Sequence, residues 1–262
     1  MSVTHDEAVC LRHREWSETS QTVILLTRRH GLINGLAKGS RRERANFSGG
    51  FELLQFGELG FVLRPDKELV TLTDWDLTNP YVSLRGLYTA AVFAMFAAEL
   101  TVSLLAPGDP HPRVLDGFLG MLDESVEASE SVTTSDCRPL ATYLSALLVD
   151  TGQFPDLATT IEPDTHVQLY DPAHACLVRP SPDTVHARDP FTPGADQNGH
   201  WPIRSETIEL LRGRHDGADP RIGPAPGPRA WTRAARFLAA WVVYRSGRRP
   251  ASLDAFLRVT RF

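Results

Sequence analysis

The stretch Thr22–Arg44, TVILLTRRHGLINGLAKGSRRER, decides how the chain is read. An apolar, strand-like run ends in Arg28, Arg29 and His30. A turn at Gly31 leads into a second apolar run, which ends in Lys38, Gly39, Ser40, Arg41, Arg42, Glu43 and Arg44. Two adjacent strands therefore deliver cationic groups at their ends, and the glycines let the backbone there approach another molecule closely. Between Arg28 and Arg44 six residues are Lys or Arg against the single Glu43, inside a chain whose net charge is −5. Such a concentration of positive charge on an acidic protein points to a polyanion, with nucleic acid the leading candidate. A solvated strand end whose charges serve only solubility is the competing reading. Three things weigh against it: the nearly uniform sign, the clustering at strand ends and in one loop where the charges can converge, and the kind of fold that carries them.

That fold is read from residues 8–77. AVCLRHR (8–14), TVILLTR (22–28), GLINGLAK (31–38), ELLQFGELGFVL (52–63) and ELVTLTDWDL (68–77) are candidate strands, and Arg64-Pro65-Asp66-Lys67 reads as a turn between the last two. Short strands at this density suit a small closed barrel. The loop Ser40–Gly50 is polar, basic and ended by glycine, so it is expected to be mobile. Trp16 and Phe47 stand in polar surroundings and are the candidates for stacking on bases, whereas Phe51 and Phe56 read as core.

Asn79-Pro80 marks the exit from the barrel. Leu84–Ala106 is long enough to span a bilayer, but it carries Arg85, Glu99, Thr101 and Ser103 and has no flanking basic cluster. It reads as a long buried helix of a soluble bundle. Pro107–Pro112 breaks it. Helices are expected over Val114–Ala128 and over Pro139–Thr151, the latter capped by Gly152. Residues 109–164 hold eleven acidic and two basic residues, read as a solvated face that keeps the protein soluble. Residues 158–200 show no period, which leaves a long loop, a small β insert or partial disorder open. Further helices follow at Ser205–Arg212, with Ser205 as N-cap, at Trp231–Tyr244 and at Ser252–Val259, after a linker at 216–228. The tail from Arg229 holds eight arginines against Asp254 alone, a second basic region.

Signatures of catalysis are weak. AKGS (37–40) has the wrong order and lacks the upstream glycine spacing of a phosphate-binding loop. His166, His174, Cys176 and His186 do not have the paired spacing of a zinc knuckle or ribbon. No G-x-S-x-G elbow is present. No enzymatic activity, cofactor or metal is therefore expected. The N-terminus Met1–Glu7 is polar and acidic without an apolar stretch, so no secretory signal is expected. Cys10, Cys137 and Cys176 lie far apart and form no framework, as fits a reducing cytoplasm.

The segment EAVCLRHREWSETSQTVILLTRRHGLINGLAKGSRR (7–42) resembles the opening of the RecO family of bacterial recombination mediators. Glu18-Thr19, Leu26-Thr27, Gly31-Leu32 and Lys38-Gly39-Ser40-Arg41-Arg42 match that opening in order. LLVDTGQFPDL (147–157), SETIELLR and ARFLAAWVVYRSGRRPASLDAFL (235–257) agree more loosely with later parts. The resemblance implies an α+β protein: an N-terminal five-stranded OB-fold barrel over residues 1–80, then a helical domain over 81–262 with an irregular insert at about 158–200. It implies a non-enzymatic mediator of recombinational DNA repair, cytoplasmic and associated with the nucleoid. Such a protein binds single- and double-stranded DNA, anneals strands and works with RecR to load RecA. It also contacts the acidic tail of single-stranded-DNA-binding protein. The matched basic positions are Lys38, Arg41 and Arg42; Arg28, Arg29 and Arg44 join them on charge alone. Many members carry a four-cysteine zinc module between the helical segments. Here that region keeps only Cys176, so no zinc is expected, and packing around Leu169, Tyr170, Leu177 and Val178 is expected to replace it. An alternative role is a scaffold that docks RecR or the acidic tail with little DNA contact. In that role Arg233, Arg236, Phe237, Trp241 and Arg245 (with Arg248 and Arg249 nearby) would hold an acidic, Phe-ending peptide, against the reading that these arginines lie along the helix surface.

Overall fold

The computed structural model describes residues 2–63, 69–129, 136–158, 166–179, 189–191, 199–215 and 226–261. Five strands come first: β1 (Thr4–Glu15), β2 (Gln21–Thr27), β3 (Gly31–Ala37), β4 (Phe56–Val62) and β5 (Val70–Asn79). They close into a barrel in the order β1-β2-β3-β5-β4, with β1 paired to both β2 and β4. All pairings are antiparallel except β3 with β5, which run parallel through Gly35↔Val70 and Leu36↔Thr71. This is the five-stranded OB-fold barrel, and the chain is α+β. The turn expected at Arg64–Lys67 lies outside the described residues.

The barrel closes because alternate residues turn inward. Ala8 and Cys10, Val23 and Leu25, and Leu59 and Phe61 are spaced by two along their strands, and all are buried in one core. On β5 the spacing stretches, from Leu72 to Trp75, where the register with β4 slips between Gly60 and Phe61. A bulge of this kind re-aims the strand and bends it, which closing so small a barrel requires.

The barrel is followed by a 3-10 turn (Val82–Gly86), then α1 (Tyr88–Leu104) and α2 (Pro112–Ser129). Helix α1 is apolar nearly all round, as a helix buried on several sides must be. Phe96 stacks on Phe256 with ring centroids 4.2 Å apart, and Glu99 accepts the backbone N–H of Ser252 at 3.2 Å. No helix among the described residues is long and apolar enough to cross a membrane.

The chain divides into two compact units, one of Met1–Thr133 with Pro250–Phe256 and one of Thr134–Arg249 with Leu257–Phe262. The barrel thus shares a unit with α1 and α2, which pack on β1 and β2. The second unit holds α3 (Arg138–Asp150), a three-stranded sheet of β6 (Val167–Asp171), β7 (Cys176–Val178) and β8 (Trp201–Arg204), then α4 (Ser205–His215) and α5 (Pro228–Ser246). Helix α6 (Leu253–Val259) closes the fold.

Of the alternatives left open for residues 158–200, the described part forms a small β sheet. Leu169, Tyr170 and Leu177 are buried and Val178 is half-buried; Tyr170 stands in register with Leu177 and Trp201, and Leu169 with Val178, on the opposite face. Tyr170 meets Phe237 and Trp241 edge-on at 5.1 and 5.5 Å, and Trp201 meets Tyr244 at 5.8 Å. The indole N–H of Trp241 donates to the Gln153 carbonyl at 2.7 Å. Edge-to-face pairs of this kind add to the apolar burial that holds the sheet on α5. Most of the linker expected at 216–228 lies outside the described residues.

Candidate nucleic-acid interface

The β2–β3 hairpin fixes where the cations go. Its register runs from Gln21↔Ala37 to Thr27↔Gly31. Arg28, Arg29 and His30 form the turn at one end, and Lys38–Arg44 leave from the other. Seven residues of strand separate the two, about 20 Å at the ordinary rise of a strand. The expected convergence of all six cations on one site is therefore corrected: Arg28 and Arg29 stand at the end opposite Lys38, Arg41, Arg42 and Arg44.

At the first end the cations meet carboxylates of the same molecule. Arg28 pairs with Glu7 and with Asp116 on α2, the latter at 2.8 Å. Asp116, and then Glu7, push its guanidinium pKa still higher, so it stays charged throughout. Asp6 is a buried carboxylate. It accepts the backbone N–H of Arg29 at 2.9 Å and lies 2.6 Å from His30 Nδ1 and 3.4 Å from Arg29 Nε. Arg29 also donates to the His5 carbonyl. In the sequence Asp6 and Glu7 read only as part of a polar, acidic N-terminus, yet β1 begins at Thr4 and places both beside the hairpin turn. The backbone of the α1–α2 linker packs over this end. Gly108 N–H donates to the Leu32 carbonyl at 3.0 Å, and a Cβ on Gly31 (φ +64°) would stand 2.1 Å from the Asp109 carbonyl oxygen.

The second end is open. Lys38, Arg41, Arg42 and Arg44 are all exposed, and Arg14 on β1 and Trp16 in the β1–β2 turn are exposed beside them. Among the described residues Lys38, Arg42 and Arg44 have no carboxylate partner, and Arg41 has one, Glu15 at 2.6 Å. The loop that bears them is pinned rather than loose. The buried amide of Gln21 donates to the Phe51 carbonyl at 3.0 Å and accepts from Phe51 N–H at 2.9 Å and from the Ser40 hydroxyl at 3.0 Å. Asn46 accepts the Trp75 N–H at 2.7 Å, and Ser48 donates to the Trp75 carbonyl at 3.0 Å. Phe47 is buried against Phe51, 5.9 Å between centroids, and Phe51 against Trp75 at 5.0 Å. The expectation that Phe47 stacks on bases is therefore corrected. Its ring anchors the loop to the core, and burying a side chain of that size stabilises by about 1.5–3 kcal/mol. Phe51 is core as expected, and Phe56 is half-buried. Gln21 escaped the sequence reading because a polar residue at a strand start looks like any solvated one.

In the second unit, Arg233, Arg236 and Phe237 line a cavity of about 310 Å³ with Val167, Trp201, Ile203 and Arg204. Arg233 is paired with Glu206 at 2.5 Å. Arg236 is paired with Asp189 at 2.9 Å and lies over the Phe191 ring. Trp241 and Arg245 are not on the cavity wall. Trp241 is buried, and Arg245 lies over its ring and beside Gln153. The chosen five thus separate into three that share a pocket and two that brace the neighbouring turn.

Asp171 holds His174 at 2.7 Å, and Cys176 is half-exposed on β7. No group of three or more potential ligands gathers among the described residues, and His186 lies outside them. Burial pushes the Cys10 thiol up to about 12 and Cys137 to about 11, which leaves both in the protonated form.

Comparison with known proteins agrees with the barrel. Residues 1–81 match the family described as Recombination protein O N terminal. A DNA repair protein RecO from Anaeromyxobacter sp. is 24% identical over 245 residues, 92% of this chain and 91% of its own. One from Desulfitobacterium hafniense is 27% identical over 219 residues, 81% of this chain and 73% of its own. One from Syntrophobacter fumaroxidans is 31% identical over 135 residues, which span about half of either protein, 52% and 53%. These matches support membership of the RecO family, through the family model over the barrel and through relatives that cover most of the chain. The family match ends where β5 runs out, so it covers the barrel that carries the open cationic end.

Proposed function

We propose that this protein binds single- and double-stranded DNA through the open end of its barrel and acts in recombinational DNA repair without covalent chemistry. The observation that carries the reading is the set of exposed cations Lys38, Arg41, Arg42 and Arg44, three of them without a carboxylate partner among the described residues, on a loop fixed by Gln21 and Phe47. Ammonium and guanidinium groups held on a rigid loop neutralise phosphates and release counterions, which gives affinity without sequence choice. Lowering the repulsion between two phosphate backbones while leaving bases accessible favours annealing. The relatives named DNA repair protein RecO support this role. On this reading residues 1–80 are the DNA-binding module and 81–262 the part that meets partners, with RecR, single-stranded-DNA-binding protein and, indirectly, RecA as the partners in a cytoplasm, at the nucleoid. Strand annealing of complementary oligonucleotides across a salt series, with and without single-stranded-DNA-binding protein, tests it. Annealing that falls steeply with salt is the expected result; no binding to either DNA form at low salt overturns it.

A second reading has its own observation. The cavity beside Arg233 and Arg236 is lined by the rings of Phe237 and Trp201 and by three arginines, Arg204, Arg233 and Arg236, the chemistry that suits an acidic peptide with an aromatic end. On that reading the protein is chiefly a scaffold for RecR or the acidic tail. Partner capture without any shift of labelled oligonucleotide would favour it over direct DNA binding.

A further inference from the structure

We infer that Trp16 is a stacking platform for an unpaired nucleobase, so that the open end of the barrel separates single strands from duplex. The inference rests on the DNA-binding reading above and names a contact which that reading does not contain. All five tryptophans lie among the described residues. Trp75, Trp201, Trp231 and Trp241 are buried, whereas Trp16 is 63% exposed. A large ring left in water loses the apolar gain that every other indole in the chain takes, and nothing in the barrel's packing needs it there.

Its position supplies the reason. Trp16 opens the β1–β2 turn, whose backbone is closed by Trp16 N–H to the Ser20 carbonyl at 2.9 Å. The same turn is fastened to the cationic loop at two points. Arg41 N–H donates to the Thr19 carbonyl at 3.1 Å, and Gly39 N–H donates to the Ser20 hydroxyl at 3.0 Å. Arg41 also grips Glu15, the residue before Trp16. The indole and the cations Lys38, Arg41, Arg42 and Arg44 therefore sit on one joined piece of backbone, with Arg14 at the adjoining end of β1. Glu15, Glu18 and Glu43 share this end, so charge attraction is partly offset there and a contact that does not depend on charge has more weight. A ring beside a phosphate-binding loop offers that contact. Every base has a π face, and within a duplex stacking on the neighbouring pairs covers it, so a single strand offers many more free faces than a duplex.

The test compares parent, Trp16→Ala and Trp16→Phe on three probes: a short oligothymidylate, an abasic strand of equal length and a blunt duplex. All three carry phosphates, and only the first offers free bases. Trp16→Ala is expected to weaken the oligothymidylate by about tenfold, the ordinary worth of one base stacked on an aromatic ring. The other two probes should hold their affinity, and Trp16→Phe should recover most of the loss. Oligothymidylate should also quench the emission of the exposed indole in the parent, while the duplex leaves it. An unchanged oligothymidylate affinity in Trp16→Ala overturns the inference, as does an equal loss on all three probes, which would assign the ring to loop shape. Loss on all three probes after neutralising Lys38, Arg41, Arg42 and Arg44 keeps the DNA-binding reading standing in either case. A parent that binds none of the probes removes both.

Discussion

The two ends of the β2–β3 hairpin carry similar side chains and meet opposite fates. At the Arg28–Arg29 end, carboxylates from Asp6, Glu7 and Asp116 surround the guanidinium groups, and the α1–α2 linker lies across the turn. At the Lys38–Arg44 end, Glu15 is the one carboxylate that reaches a cation of the loop among the described residues, and the four cationic side chains are exposed. The first end is part of the architecture and the second faces outward. A cluster of positive charge in a sequence thus has two meanings. What separates them is whether acidic groups far away in the chain fold back onto it.

The largest effect expected from this difference is structural. Gly31→Ala sets a Cβ against the Asp109 backbone at a residue with φ +64°, and both the clash and the left-handed backbone oppose it. A loss of about 3 kcal/mol is expected, read by chemical denaturation. Stability within error of the parent would mean the linker does not seal this end.

The next effect separates the ends by function. Replacing Lys38, Arg41, Arg42 and Arg44 with Ala should weaken DNA binding about thirtyfold at low salt and flatten the salt slope by about three units, with little change in stability. The Arg28→Ala, Arg29→Ala pair should lower stability and leave affinity near the parent's. Equal affinity losses in the two variants would show that the ends act as one field, and the distinction drawn here would be wrong.

A smaller effect tests the clamp. Gln21→Leu keeps bulk but strands the Phe51 N–H and the Ser40 hydroxyl, a loss of about 1–2 kcal/mol for buried groups left without a partner. DNA affinity should fall with it, because the cations then hang on a loosened loop. Lower stability with unchanged affinity would show that the loop need not be rigid to bind.

These contrasts mark where the sequence could be read. The strands were legible because Val23 and Leu25, or Leu59 and Phe61, alternate with a period of two that only a half-buried strand satisfies. Helix α2 showed its apolar face at Leu115, Phe118 and Leu122 for the same kind of reason. The site was legible only at the level of charge. Arg28 and Asp116 are 88 positions apart, and no local pattern announces that they meet. Phe47, set among polar neighbours, looks like a surface ring; it is core because the chain turns at Ser48–Gly50 and sets it against Phe51 in the barrel core. Long-range packing decides both matters, α2 against the hairpin turn in the first and the loop against the barrel core in the second, and periodicity carries no record of it.

The smallest expected effect is a gain. Glu15→Gln removes the one carboxylate that holds Arg41 and takes an anion from the open end. An exposed pair of this kind contributes little to stability, so the fold should not notice. The guanidinium is released toward phosphate, and DNA affinity should rise about two- to threefold at low salt, with the slope steepening by no more than about one contact. Glu7→Gln makes the same charge change at the covered end, where Arg28 keeps Asp116 at 2.8 Å. It should leave affinity alone. The pair matters because both variants shift the protein's net charge equally. If both tighten binding alike, DNA responds to the overall charge of the molecule; if only Glu15→Gln does, it responds to the groups at one end of the barrel, which is what an interface there requires.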